Sequence, residues 1–457
     1  MSERFQRSVR IARSPAEVFA WHERDGAFER LTPPWEKVKV QASGGGIRDG
    51  GRVELKSKIG PMWLSWTVKH FDYREGELFC DRQISGPFAQ WEHRHRFESD
   101  GAGGCVLTDD ITYELPGGKI GAKAANFVAA RLDRLFTYRH AVTKADLEIA
   151  PARTGRAVIS GASGLIGRAL VTFLRTQGWT VDRLVRRPAK APDEISWDPV
   201  RTTVNWPSEY ACDAIIHLAG AGIADGRWTQ ERREQIGRSR IEGTRTLVGA
   251  MRQLATLPRV FVSGSAIGIY GDRGDTLLDE TSPRGEGFLA DVCHEWEAEA
   301  ESAATLGVRT VKLRTGLVLT PAGGALGKML PLFQLGLGGP MGGGRHWQSW
   351  VTLDDWLRVC RHVIETDDIR GPVNVVASEP VRQRDLANVL GAVLNRPAML
   401  SAPGGVLRLA FGQMADEALL ASTRAHSAVL ADTGISFLHP TLEKGLRHVL
   451  GKSSTQP

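Results

Sequence analysis

Three glycines with the spacing Gly161-x-x-Gly164-x-x-Gly167 close an apolar run, Val158-Ile159-Ser160. An amphipathic stretch from Arg168 to Thr176 follows. A strand, a glycine turn and a helix N-terminus in that order can bind the pyrophosphate of a dinucleotide. Gly161 suits the tight turn, Gly164 lets the backbone approach phosphate, and Gly167 lets the helix pack close to the strand. Ser163, Leu165 and Ile166 complete the turn and the first helical positions, whose free N–H groups point at the anion. The next predicted strand, Trp179 to Val185, ends in Arg186-Arg187-Pro188. An Asp or Glu there would hold a ribose 2′-hydroxyl, whereas guanidinium groups suit a 2′-phosphate. The expected cofactor is therefore NADP. The competing readings are an ordinary structural turn and two solvated arginines.

The elements that must position these residues follow from the rest of the chain. A length of 457 residues predicts two or three domains. Hydrophobic content of 42% and charged content of 24% are those of a globular protein. No apolar run reaches membrane-spanning length, and the N-terminus lacks a signal-peptide core, so the expectation is a cytoplasmic protein. Cys80, Cys105, Cys212, Cys293 and Cys360 are scattered, which argues against a disulfide framework and against zinc. The net charge of +6 is modest and no basic stripe carries interleaved aromatics. Nucleic acid is thus not an expected partner, while a small anionic molecule is.

The first ~150 residues differ in texture from the remainder. Ser14-Pro15-Ala16-Glu17 reads as a capping box opening a helix through Trp21. Alternating segments follow at 37–41, 51–57, 63–71, 78–84, 90–98 and 105–115, separated by Gly-rich or polar turns. A long helix is predicted from Lys119 to Leu147, and 149–155 reads as a linker. A curved antiparallel sheet wrapped on that helix is the natural arrangement. Trp91, His93, His95 and Phe97 alternate and so share one strand face. With no acidic or Cys partner nearby, the two histidines read as a hydrogen-bonded face rather than as metal ligands, and no metal is expected. Trp63, Trp66 and Trp91 read equally as pocket lining or core.

Residues 3–148 resemble the START-like, helix-grip domains of the polyketide cyclase and lipid-transport superfamily. The resemblance rests on element order and on Leu31-Thr-Pro-Pro-Trp35 and Gly86-Pro-Phe-x-x-Trp91-x-His-x-His95. It implies a cavity for an apolar or amphipathic ligand.

From Arg156 strands and helices alternate. Ala214 to Gly220 reads as a buried parallel strand whose end, Leu218-Ala219-Gly220, lies at the carboxyl edge of the sheet. Thr229 caps a helix to about Met251, 259–265 is a strand, 290–306 a helix, and 308–319 a single strand with Arg314 near its end. The fold class is α/β, a doubly wound sheet behind a smaller α+β domain. The motifs Gly161–Gly167, His217–Gly220, Arg227–Thr229, Ser239–Ile241, Leu313–Gly316 and Gly336–Pro340 occur together and in order. Together they resemble the atypical short-chain dehydrogenase/reductases described as epimerase family proteins, over about 156–450. Fusion to a START-like domain is similar to a bacterial architecture of that family. The expected domains are 1–150, 156–400 and a small C-terminal segment, 401–457. The resemblance places NADP against Arg186, Arg187, Leu218, Ala219, Gln235, Arg240 and Val318.

The same resemblance exposes a gap in the chemistry. Active relatives use a Ser and a Tyr-x-x-x-Lys pair, the Tyr moving the proton and the Lys lowering its pKa. Ser265 matches the Ser. Counting back from Glu297 places Leu289 at the Tyr position and Cys293 at the Lys position. Tyr270, Asp291 and His294 are substitutes to be weighed against structural roles. Two functions follow: an NADP-dependent oxidoreductase or epimerase with altered acid–base groups, or an NADP-binding regulatory protein without turnover.

Overall fold

The computed structural model describes residues 2–117, 124–149 and 153–452. The chain divides into two compact units. One comprises Met1–Ala152, Arg175–Gly178 and Leu450–Pro457, and the other Arg153–Leu174 and Trp179–Val449.

The first unit is a seven-stranded antiparallel sheet with a helix. Its strands are β1 (Ser2–Ile11), β2 (Val38–Gly44), β3 (Arg52–Ile59), β4 (Met62–Arg74), β5 (Leu78–Ser85), β6 (Gln90–Ser99) and β7 (Cys105–Glu114). Their order is β1-β7-β6-β5-β4-β3-β2. The first strand was absent from the sequence reading. All ten of its residues pair with β7, but Arg7 interrupts the apolar alternation of Phe5, Val9 and Ile11. The capping box forms: Ser14 Oγ accepts from Glu17 N, and Ser14 N donates to the Glu17 carboxylate. The long helix runs Ala125–Leu147; the predicted start at Lys119 and residues 150–152 of the predicted linker lie outside the described residues. Its Leu132 and Phe136 pack on Trp91, Ile111 and Tyr113 of the sheet. Phe19, Phe79 and Phe97 form a second cluster around Ile11 and Leu107. Trp63 and Phe127 are instead exposed.

The second unit carries an eight-stranded sheet. It contains β8 (Arg156–Ser160), β9 (Thr180–Val185), β10 (Glu194–Asp198), β11 (Thr203–Val204), β12 (Ala214–His217) and β13 (Val260–Ala266), followed by Arg309–Thr315 and Gly371–Val375. The order is β11-β10-β9-β8-β12-β13 and then these two strands. All pairings are parallel except β10 with β11. Strands buried on both faces must be apolar throughout, as Ala214-Ile-Ile and Val260-Phe-Val are. The order reverses at β8, where β9 leaves on one side and β12 on the other. That is the switch point at which open α/β sheets bind ligands.

The strand predicted over 308–319 is two strands. Arg309–Thr315 belongs to the main sheet, and Leu317–Leu319 pairs with Trp350–Thr352. Gly316 makes the break, because a Cβ there would lie 2.6 Å from Ser349 O and 2.7 Å from Val376 Cγ1. The helix predicted over 290–306 is α-helical over Phe288–Glu301 and tightens to a 3₁₀ turn over Ser302–Leu306. Among the described residues no helix is long and apolar enough to cross a membrane. All five cysteines are free and buried.

Candidate functional site

The glycine turn sits at the switch point, and two of its glycines, Gly161 and Gly167, have no room for a side chain. Gly161 takes φ +70°, and a Cβ on it would lie 2.7 Å from Ala219 N and from the Leu218 carbonyl. A Cβ on Gly167 would meet Gly161 O at 2.2 Å. The turn is therefore wedged between the end of β12 and the helix Leu165–Thr176. Ser163 and Gly164 are exposed at its tip, while Leu165 and Ile166 are half-buried. Leu165 supports Gly323 and Gly324, where a Cβ would approach it to 3.3 and 3.6 Å. The segment following Val318 is thereby brought to the turn.

Two residues that the sequence reading passed over hold this junction. Ser160 Oγ accepts from Leu218 N at 3.1 Å and Ala219 N at 3.3 Å. Its own proton then goes to His217 Nδ1, 2.6 Å away. The other ring nitrogen, His217 Nε2, is buried without a partner. Burial, with a smaller contribution from Arg240, pushes the His217 pKa down to about 3. The signal was available in the sequence: a Ser and a His ending two strands that enclose the turn. Ser160 closes an apolar run there, and His217 enters only as the first residue of the His217–Gly220 motif.

Arg240 lies in the groove beside β12. It is half-buried, donates to Ala221 O and Ile236 O at 3.0 Å, and stands 5.2 Å from the Trp296 ring. A Cβ on Gly220 would touch its guanidinium at 3.2 Å. Gln235, one turn earlier, is exposed and accepts from Arg232. The two arginines after β9 part company. Arg187 is already held by both oxygens of Glu194, at 2.7 and 2.8 Å. Those bonds, with a backbone N–H from Lys190, draw the Glu194 pKa down to about 2. Arg186 is exposed and has no such partner among the described residues.

Ser265 is not free. It is buried, and its Oγ donates to Glu297 Oε1 at 2.6 Å. Arg314 grips the same carboxylate through Nε at 2.8 Å and Nη2 at 2.9 Å, and donates to Tyr270 OH at 2.9 Å. The Tyr270 hydroxyl also lies 2.8 Å from Asn374 Oδ1 and from Asp279 O. Tyr270 is fully buried, and burial raises its pKa above the ordinary value. Its phenol is committed within this network.

The two positions that the family resemblance assigns to the Tyr–Lys pair are equally closed. Cys293 packs among Ile269, Tyr270, Leu278 and Ala425, and burial pushes its thiol up to about 12. Leu289 is half-buried against the cluster of Trp228, Ile236 and Val292. Asp291 and His294 are exposed, and Asp291 pairs with Arg284 at 3.2 Å. Neither reaches the Ser265 network among the described residues. A carboxylate that the sequence reading missed does stand here: Glu417 accepts from Leu289 N at 2.8 Å. It satisfies the N-terminus of a helix whose N-cap, Gly287, has no side chain to do so. The charge also suits the helix dipole.

In the first unit the fold overturns one premise. Asp81 and Asp109 lie on neighbouring strands, so His93 and His95 do have acidic partners. His93 Nε2 and His95 Nδ1 are both 2.8 Å from Asp109 Oδ1. Burial alone would lower the His93 pKa, but hydrogen bonds to Asp109 and Asp81 raise it to about 9. Sequence distance hid these carboxylates; strand pairing supplies them.

Comparison with known proteins agrees with this geometry. Residues 157–376 match the NAD dependent epimerase/dehydratase family, residues 402–449 a domain of unknown function, and residues 2–139 the polyketide cyclase/dehydrase and lipid transport family. An epimerase family protein from Mycobacterium bovis is 38% identical over 301 residues, covering 65% of this chain and 97% of the relative. The human epimerase family protein SDR39U1, solved with NADPH, is 31% identical with a TM-score of 0.60 over 64% of this chain and 98% of that one. A nucleoside-diphosphate sugar epimerase from Corynebacterium glutamicum is 30% identical with a TM-score of 0.80, over 98% of this chain and 90% of that one. The chain belongs to the epimerase family, an atypical short-chain dehydrogenase/reductase fused behind a START-like unit.

Proposed function

We propose that the chain binds NADP and acts as an oxidoreductase or epimerase on a small molecule. The observation that carries this is the glycine turn at β8, whose Gly161 and Gly167 are pressed against backbone where any Cβ would collide. That cradle leaves backbone N–H groups of a helix start open to a pyrophosphate. Gly161, Ser163, Gly164 and the first turn from Leu165 to Gly167 would hold the phosphates. Leu218, Ala219, Gly220 and Val318 would flank the dinucleotide, with Gln235 and Arg240 on the helix Gln230–Met251 beside it. Arg186 would meet the 2′-phosphate, with Arg187 braced behind it by Glu194. The structure of human SDR39U1 with NADPH supports NADP over NAD. When bound, the nicotinamide supplies hydride transfer.

This chain's own contribution differs from that of the Tyr–Lys relatives. Ser265 gives its one hydroxyl proton to Glu297, so toward a bound substrate its oxygen can only accept, and it is not a free acid. Calorimetric titration with NADPH and NADH tests the cofactor, with at least tenfold preference for NADPH expected. Substrate-dependent change in the 340 nm absorbance of bound NADPH tests turnover.

A second reading, NADP binding without turnover, is favoured by one observation. Tyr270, Ser265 and Arg314 are all engaged within one buried network, and the family resemblance sets Leu289 and Cys293 where active relatives carry Tyr and Lys. Persistently unchanged NADPH across candidate sugars, ketones and enones would select it. The START-like unit is assigned, on its family match, to an apolar or amphipathic ligand. Competition between fatty acids and an environment-sensitive dye on the whole chain tests that role.

A further inference from the structure

We propose that the first unit holds a divalent transition-metal ion between Asp81, His93 and His95. The argument starts from strand register. Asp81 on β5 pairs with His93 on β6, and His95, two residues on, pairs with Asp109 on β7. Period-two alternation puts all four side chains on one face of the sheet. The face is the one covered by the helix Ala125–Leu147, from which His140 joins the group with Nε2 2.5 Å from Asp109 Oδ2.

Asp109 decides where the ring protons sit. An ionised carboxylate can only accept. Its Oδ1 lies 2.8 Å from His93 Nε2 and 2.8 Å from His95 Nδ1, so these nitrogens carry the protons. In a neutral imidazole the other nitrogen is then a bare lone pair. With both rings neutral, His93 Nδ1 and His95 Nε2 present lone pairs to a single oxygen, Asp81 Oδ2, at 3.3 and 3.6 Å. The remaining oxygen of Asp81 accepts from Trp91 Nε1 at 3.3 Å. Three electron-pair donors therefore converge, all within 4.8 Å of one another. They repel unless a positive charge stands between them.

The spacing fits an ion. Donors about 2.0–2.2 Å from a tetrahedral zinc stand about 3.3–3.6 Å apart, which matches both histidine-to-Asp81 distances. Asp109 would then be the outer carboxylate that orients two ligating imidazoles, an arrangement typical of protein metal sites. His70 sits opposite Asp81 on β4, and its Nδ1 is buried without a hydrogen-bond partner. It is a neighbour of the cluster but lies outside the three donors that converge, which leaves a fourth position for solvent. Two imidazoles and one carboxylate select zinc, cobalt, nickel or iron over magnesium or calcium. The side chains of His95 and Asp81 keep 11% and 14% exposure, so an ion has a way in.

The rival occupant is a second proton on His93, which would answer the same negative charge without any metal. Titration of the chelator-stripped whole chain with Co²⁺, followed by its visible absorption and by displacement with Zn²⁺, separates the two. One equivalent should bind. Asp81→Asn and His95→Gln should each weaken binding by about 100-fold or more, at least the loss typical of removing an outer partner. No saturable cobalt spectrum, or undiminished binding in both variants, overturns the proposal. His439 and His448 stack with ring centroids 4.2 Å apart in the second unit, and binding lost only in His448→Gln, which would place the ion there, also overturns the proposal. Should the variants not fold, X-ray absorption of the zinc-loaded wild-type chain still decides. Imidazole with carboxylate oxygen supports the site; a sulfur or all-oxygen shell overturns it.

Discussion

Replacing Glu297 by Gln tests what holds the centre of the second unit. Glu297 and Arg314 have side chains only 10% and 9% exposed, and three hydrogen bonds converge on the carboxylate, from Ser265 Oγ, Arg314 Nε and Arg314 Nη2. Glutamine keeps the shape but removes the charge. Its amide N–H₂ must face one of these donors, so a buried guanidinium loses both its counter-ion and an acceptor. Breaking one partner of a buried pair costs about 3–5 kcal/mol. At roughly 2 °C per kcal/mol for a large domain, the second unit should melt about 6–10 °C lower. Ser265→Ala removes a single bond to a carboxylate that keeps two others, and should cost about 1.5 kcal/mol. Denaturant titration and calorimetry of both variants provide the comparison. Were Glu297→Gln within 1 kcal/mol of wild type, or Ser265→Ala as costly as Glu297→Gln, the network would not be what fixes Ser265.

Three further outcomes are expected. Gly167→Ala places a methyl 2.2 Å from Gly161 O, so NADPH affinity should fall at least tenfold while the START-like unit still melts normally; wild-type affinity would remove the turn from the cofactor site. Arg186→Glu should erase the NADPH preference, whereas Arg187→Glu should act mainly through destabilisation by facing Glu194; equal NADPH and NADH affinities in the wild type would refute both. His217 and His439 have pKa values lowered by burial to about 3, so the unfolded chain binds the extra protons between about pH 6.5 and 3. The stability tied to these two histidines should be fully present above pH 6.5 and decline as pH falls through that window. His217→Asn should flatten the decline, and a slope unchanged by that substitution would show that His217 does not set it.

The elements that could be read from the sequence are those in which local pattern and tertiary role coincide. The glycine turn is fixed by steric demands within one strand–turn–helix unit, so its spacing identifies it. The capping box at Ser14 and the helix from Thr229 are likewise local hydrogen-bond devices. Alternating and continuous apolar runs separate the antiparallel sheet from the parallel one because exposure differs on the two kinds of face. The absence of a Tyr–Lys pair on the helix Phe288–Glu301 is also a matter of sequence alone.

What the sequence left open depends on strand order. β1 was missed because its partner, β7, is about a hundred residues away, and pairing rather than propensity makes Arg4–Arg10 extended. Gly316 breaks a strand because Ser349 and Val376 crowd it. Arg186 and Arg187 are identical neighbours until Glu194 on the adjacent strand claims one of them. Ser265 could be named from its motif, yet its commitment to Glu297 and Arg314 needs a helix and two strands to meet. Glu92, beside His93 in the chain, alternates to the opposite face of β6, so the sequence shows no acidic partner on the histidines' own face. Pairing of β5, β6 and β7 delivers Asp81 and Asp109, because a sheet juxtaposes residues by register while the sequence orders them only along each strand.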